Sequence, residues 1–119
     1  MAACWQQSGS CAYARGVLDT TPLTRAVDHF ADRLRAAPQS RLQRGGAAEA
    51  LGLARELALR AQRLEAPDQA PREMPDAGMF AAADQVMVAG NDLALVLADE
   101  AGLAEAVALV EEAQKRAGV

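Results

Sequence analysis

Between Thr21 and Ala117 the apolar residues of this chain recur at intervals of three and four, in four successive blocks separated by proline, glycine or polar residues. That period matches one face of an α-helix and not the two-residue repeat of a half-buried strand. The first block opens on Thr21-Pro22, an N-cap candidate followed by proline at the first helical position. Leu23, Ala26, Val27, Phe30, Leu34 and Ala37 then share one face, Arg25, Asp28, His29, Asp32 and Arg35 the other, and Pro38 ends the run. The spacing predicts a helix over 22–37. A second is predicted over 47–66, with Ala47, Ala50, Leu51, Leu53, Ala54, Leu57, Ala58, Ala61 and Leu64 as a broad apolar face and Glu56 and Arg60 paired outside it at i,i+4. A third is expected to run from a cap at Asp76 to Ala98, and a fourth over 103–117, with Asp99 to Gly102 as the turn between them.

Two connectors separate the early helices. Residues 38–46 hold Arg41, Arg44, Gly45 and Gly46, and residues 67–75 are punctuated by Pro67, Pro71 and Pro75, which bar regular helix and predict an extended segment. At 1.5 Å per residue the four helices are roughly 22 to 35 Å long. Similar lengths and modest connectors predict an all-α, up-down-up-down four-helix bundle over 21–119, preceded by a poorly defined N-terminal arm over 1–20. A three-helix bundle with a peripheral arm is the competing architecture.

Composition narrows the functional classes. A chain of 119 residues has the size of one domain, and 51% hydrophobic against 24% charged residues is a folding composition rather than a disordered one. Aromatics supply only 3%, and alanine dominates. Alanine favours helix but carries little apolar area, so the core is expected to depend on close helix approach. The net charge is −4, and arginines are mixed with acids on the helix faces, which disfavours nucleic acid and anionic membrane surfaces. The longest apolar stretch, Met79 to Ala98, is interrupted by Asp84, Gln85, Gly90, Asn91 and Asp92 and is too polar for a bilayer. The first residues lack a positive region followed by an apolar run, so the expected location is the cytosol, where Cys4 and Cys11 stay reduced.

The third helix departs from simple amphipathicity. A rotation of about 100° per residue gathers Asp84, Gln85, Asn91, Asp92 and Asp99 into one narrow strip, and nearly everything else around the helix is apolar or small. Val88 and Leu95 sit inside the polar strip, one i,i+7 step apart. Either another part of the chain covers them or they face a partner. The second alternative makes Val88, Leu95, Asp84, Asn91 and Asp92 a candidate partner-binding set, for a second copy of the chain (a homodimer) or another protein. The acids of the strip would then meet like charges, which opposes an interface centred on them.

Other candidate chemistry is sparse. Arg41, Arg44, Gly45 and Gly46 precede a helix N-terminus, where exposed amides and arginine can hold a small anion, although the Lys-Ser/Thr pair of a phosphate-binding loop is missing. His29, the only histidine, lies on the polar face of the first helix. A surface histidine on a helical bundle resembles the histidine-phosphotransfer domains, which implies a phosphocarrier role for His29. The lysine and glycine that follow the histidine there are replaced by Phe30, Ala31, Asp32, Arg33 and Leu34. Cys4 and Cys11 with one distant histidine fall short of the four ligands of a zinc site. The acids lack the inward placement and the Glu-x-x-His pattern of a di-metal bundle. No nucleophile motif or dinucleotide fingerprint is present. The expectation is therefore a non-enzymatic module for interaction or self-association, without metal or cofactor, with small-anion sensing as the alternative and phosphotransfer behind it.

Overall fold

A computed structural model describes residues 18–119, and these form four helices: α1 (Thr21–Ala36), α2 (Ala47–Glu65), α3 (Ala82–Val96) and α4 (Glu100–Ala117). The all-α bundle expected from the periodicity is what the described residues form. The arm expected over 1–20 lies outside the described residues except for Leu18, Asp19 and Thr20, and Cys4 and Cys11 fall outside them altogether.

Capping chemistry shifts several ends. Helix α1 begins at Thr21, and its first amide is held by the Asp19 carboxylate (Thr21 N–Asp19 Oδ1 3.0 Å), not by a Thr21 side chain acting as cap. Asp76 does not cap α3; its carboxylate accepts from the Gly78 amide at 2.8 Å and closes a turn before a single 3-10 turn at Met79–Ala81. α3 stops at Val96, where Leu97 is extended. The stretch expected to be a turn, Asp99 to Gly102, is instead the start of α4: the Asp99 carboxylate accepts from the Gly102 amide at 2.7 Å, a side-chain N-cap. The connector before α2 is also helical. Residues Gln39–Arg41 turn once, and Leu42–Gly46 carry the path into α2 across a kink at Gly45, whose φ of 145° suits glycine.

The order of directions differs from the alternating one expected. Arg35 near the end of α1 meets Asp84 near the start of α3 (2.8 Å), so those helices are antiparallel. Arg60 with Glu105 and Arg116 with Glu49, both at 2.8 Å, make α2 and α4 antiparallel. Arg41, just beyond α1, donates to the Gly118 carbonyl at the end of α4, so those ends lie together and α1 and α4 run the same way. Hence α2 and α3 are parallel, and the bundle runs up, down, down, up. Around its perimeter α1 packs on α3 and α4, and α2 packs on α3 and α4, while the α1–α2 and α3–α4 pairs barely touch.

A parallel pair needs a return path, and residues 66–78 supply it. The segment passes back along α2 and is pinned by side chains. The Gln62 amide both donates to the Arg72 carbonyl (2.9 Å) and accepts from the Arg72 amide (2.7 Å). Arg55 Nε donates to the Met74 carbonyl (2.8 Å), and Gln85 donates to the Pro75 carbonyl (2.7 Å). Prolines leave such a segment short of donors, so its carbonyls are satisfied from α2 and α3 instead.

The core lies between all four helices. Phe30, Leu23, Leu34, Leu57 and Leu93 are its largest fully buried side chains, and alanines such as Ala31, Ala50, Ala54, Ala89, Ala106 and Ala113 fill the spaces between helices. The α1–α3 crossing is a close one: a Cβ at Gly90 would sit 2.5 Å from Val27 Cγ2. Only glycine fits there, and the alanine-rich core gains its contacts from this proximity.

Candidate functional site

Helix α3 has two unlike faces. Ala82, Ala83, Val86, Ala89, Gly90 and Leu93 are buried against the other helices. Asp84, Val88, Asn91, Asp92 and Leu95, the residues singled out from the sequence, form one continuous outer strip, and all five are exposed. Leu95 is 84% exposed and Val88 55%, the first among the most exposed large apolar side chains of the described chain. Among the described residues nothing covers them.

The electrostatics of the strip are milder than its acid count implies. Asp84 is already paired with Arg35, which also approaches Asp32 at 3.6 Å. Asp99 lies beyond the end of α3, where its carboxylate is committed to capping α4. Asp92 is the one acid within the central part of the strip that joins no ion pair among the described residues.

Beside Leu95 the surface opens into a groove of about 570 Å³. Its walls come from the C-terminal half of α2 (Ala58, Ala61, Gln62), from the return segment (Arg72, Met74) and from the end of α3. Sequence periodicity gave no sign of it, because one wall is a non-helical segment docked by side-chain bonds to its carbonyls. Two further large apolar residues are exposed, Phe80 (76%) and Leu64 (51%); Leu64, expected on the apolar face of the second helix, lies outside the packed core near its C-terminal end. Phe80 sits in the 3-10 turn ahead of α3, outside the packed part of the helix.

The other candidates are dispersed. Arg41 is engaged with the Gly118 carbonyl, and Arg44 Nε reaches the Ser40 carbonyl at 3.4 Å. The Ala47 amide is bonded to the Leu42 carbonyl, so that donor at the start of α2 is already used, and Gly46 is buried against the Arg41 carbonyl. His29 is exposed on α1 and borders a shallow groove with Ala108, Glu111, Lys115 and Val119 of α4 and the C-terminus. No group of three or more metal-ligating side chains occurs among the described residues, and none of their helices is long and apolar enough to cross a membrane.

Comparison with family models, with curated proteins and with solved structures found no match to this chain. The outer face of α3 therefore stands on its own geometry.

Proposed function

We propose that this domain is a self-association module that pairs with a second copy through the outer face of α3. The observation that carries the reading is Leu95, a leucine 84% exposed on a helix whose opposite face is fully packed. Val88, two turns earlier on the same strip, extends the apolar contact. A two-fold axis brings one such strip against another, so each residue buried on one copy is buried on both. Scaled by their exposure, four side chains return about 6 kcal/mol. Association itself costs at least about 4 kcal/mol in lost freedom, so a contact built on these groups alone is weak and concentration-dependent. The salt bridge from Arg35 neutralises Asp84 and lowers the repulsion within the strip.

The test is solution mass by light scattering or sedimentation equilibrium, from low micromolar to near-millimolar protein, for wild type and Leu95→Glu. Leu95 has no core role in the single chain, so the glutamate leaves the fold intact by circular dichroism. The expected result is a wild-type dimer and a folded monomeric variant. A wild type monomeric throughout, or a Leu95→Glu protein that dimerises like wild type, rejects the reading.

A further inference from the structure

Leu95 is a projecting apolar side chain, and the groove beside it holds, among the polar Gln62, Glu65, Arg72, Glu73 and Asp92, an apolar patch with Ala58 and Ala61 as its floor and Met74 and Val96 as its walls. A knob and a hole side by side on one surface is the arrangement that a two-fold interface uses, because residue i then meets residue j while j meets i. We propose that self-association seats Leu95 of each copy in the groove of the other, against Ala58 and Ala61. This rests on the reading of α3 as the self-association face and specifies what that face grips.

Charge placement agrees with a second copy as the occupant. The charged residues lining the groove are Glu65, Arg72, Glu73 and Asp92; Glu73 approaches Arg55 at 3.8 Å, the other three belong to no ion pair among the described residues, and Arg72 is the one cation of the lining open to an acid brought by a second copy. With Leu95 inserted reciprocally, Arg72 of one copy lies beside Asp92 of the other, and the pairing repeats across the axis. Such exposed pairs add little affinity, but they favour one orientation over others. Alanines at the floor leave space for a branched side chain, and the wall at Met74 adapts its shape readily.

Two variants test the groove apart from the face. Ala58→Phe fills the recess from its half-exposed floor while leaving Leu95 in place. It is expected to weaken dimerisation at least about tenfold, the equivalent of about 1.4 kcal/mol, with helicity retained. Because the larger side chain could disturb α2, disulfide trapping provides a second readout. In a background with Cys4→Ser and Cys11→Ser, protein carrying Ala58→Cys is mixed with protein carrying Leu95→Cys and oxidised. Seating of the Leu95 methyl groups on Ala58 brings the two Cβ atoms to about 6 Å, from which small motions reach the roughly 4 Å that a disulfide requires, so the mixed disulfide is expected to dominate over either homodimeric product. A mixed disulfide no more abundant than chance overturns the groove, as does a folded Ala58→Phe protein that dimerises like wild type. If Leu95→Glu is monomeric in those cases, the α3 face survives without the groove. A monomeric wild type overturns both.

Discussion

The same substitution at two helical glycines is expected to have opposite effects, and the structure sets both magnitudes. Gly52 lies in the interior of α2 on the exposed side, and a Cβ added there meets no atom within 4 Å. Gly52→Ala therefore collects only the helix-propensity gain, about 0.5–1 kcal/mol. Gly90 lies in the interior of α3 and would collect the same gain, but its Cβ would stand 2.5 Å from Val27 Cγ2 and 3.0 Å from Cγ1. Val27 is completely buried, so the clash is relieved only by moving α1 away from α3 or by forcing a strained rotamer. Overpacking of this kind costs about 1–3 kcal/mol, and the crowding here belongs at the upper end, which leaves Gly90→Ala about 1–2 kcal/mol less stable after the propensity gain. An unfolding entropy of about 2.1 cal/mol/K per residue over roughly 100 ordered residues converts 1 kcal/mol into about 5 °C. Thermal melts at one fixed protein concentration should thus place Gly52→Ala about 2–5 °C above wild type and Gly90→Ala about 5–10 °C below it. Val27→Ala combined with Gly90→Ala should be more stable than the sum of the single changes, because the smaller side chain vacates the contested volume. A Gly90→Ala protein that melts above wild type would refute the close α1–α3 approach.

Three further expectations follow from named hydrogen bonds. Gln62→Ala removes both bonds to the Arg72 backbone and should cost about 1–2 kcal/mol; trypsin should then cut after Arg72 several-fold faster than in wild type. Asp99→Ala deletes the α4 cap and should lower stability by about 1 kcal/mol in urea titrations, with Asp99→Asn close to wild type. Asp19 is held below its ordinary pKa by hydrogen bonds from the Thr21 hydroxyl and amide, with Arg25 assisting. Its contribution is therefore complete at neutral pH, above the unfolded value of 3.8, and is lost as pH falls through the lower folded value. Asp19→Ala should be less stable than wild type at pH 7 and indistinguishable from it below the folded pKa; a constant difference across that range would remove the carboxylate as its cause.

The helices were legible because their signal is local. Leu23, Val27, Phe30 and Leu34 repeat at the period that the buried face of α1 requires, and the pattern survives any arrangement of the helices around it. Helix ends are less legible, since the Asp99 and Asp19 carboxylates fix them by accepting from one or two nearby donors, a choice among neighbouring polar residues that is not periodic. The direction of α3 was not legible. It depends on residues 66–78 lying back along α2, held by Gln62, Arg55 and Gln85 to carbonyls that every residue possesses. Val88 and Leu95 stood out because apolar residues inside a polar strip violate the helix's own pattern, and both are exposed. The groove beside Leu95 could not stand out, because Ala58, Met74 and Val96 come from three segments whose meeting is tertiary.

The return segment also governs how this chain can acquire its structure. Of the consecutive helix pairs, only α2 and α3 pack extensively on one another, while α1 and α4 each find their neighbours elsewhere in the chain. No early helical hairpin at either end can form and wait. The stretch from Ala47 to Val96 is the shortest piece that closes on itself, and closing it means first laying 13 loop residues along α2. α1 and α4 then arrive from opposite sides of the sequence onto a surface that this central pair creates, so substitutions at the α2–α3 contact should slow folding, whereas those in α4 should mainly speed unfolding.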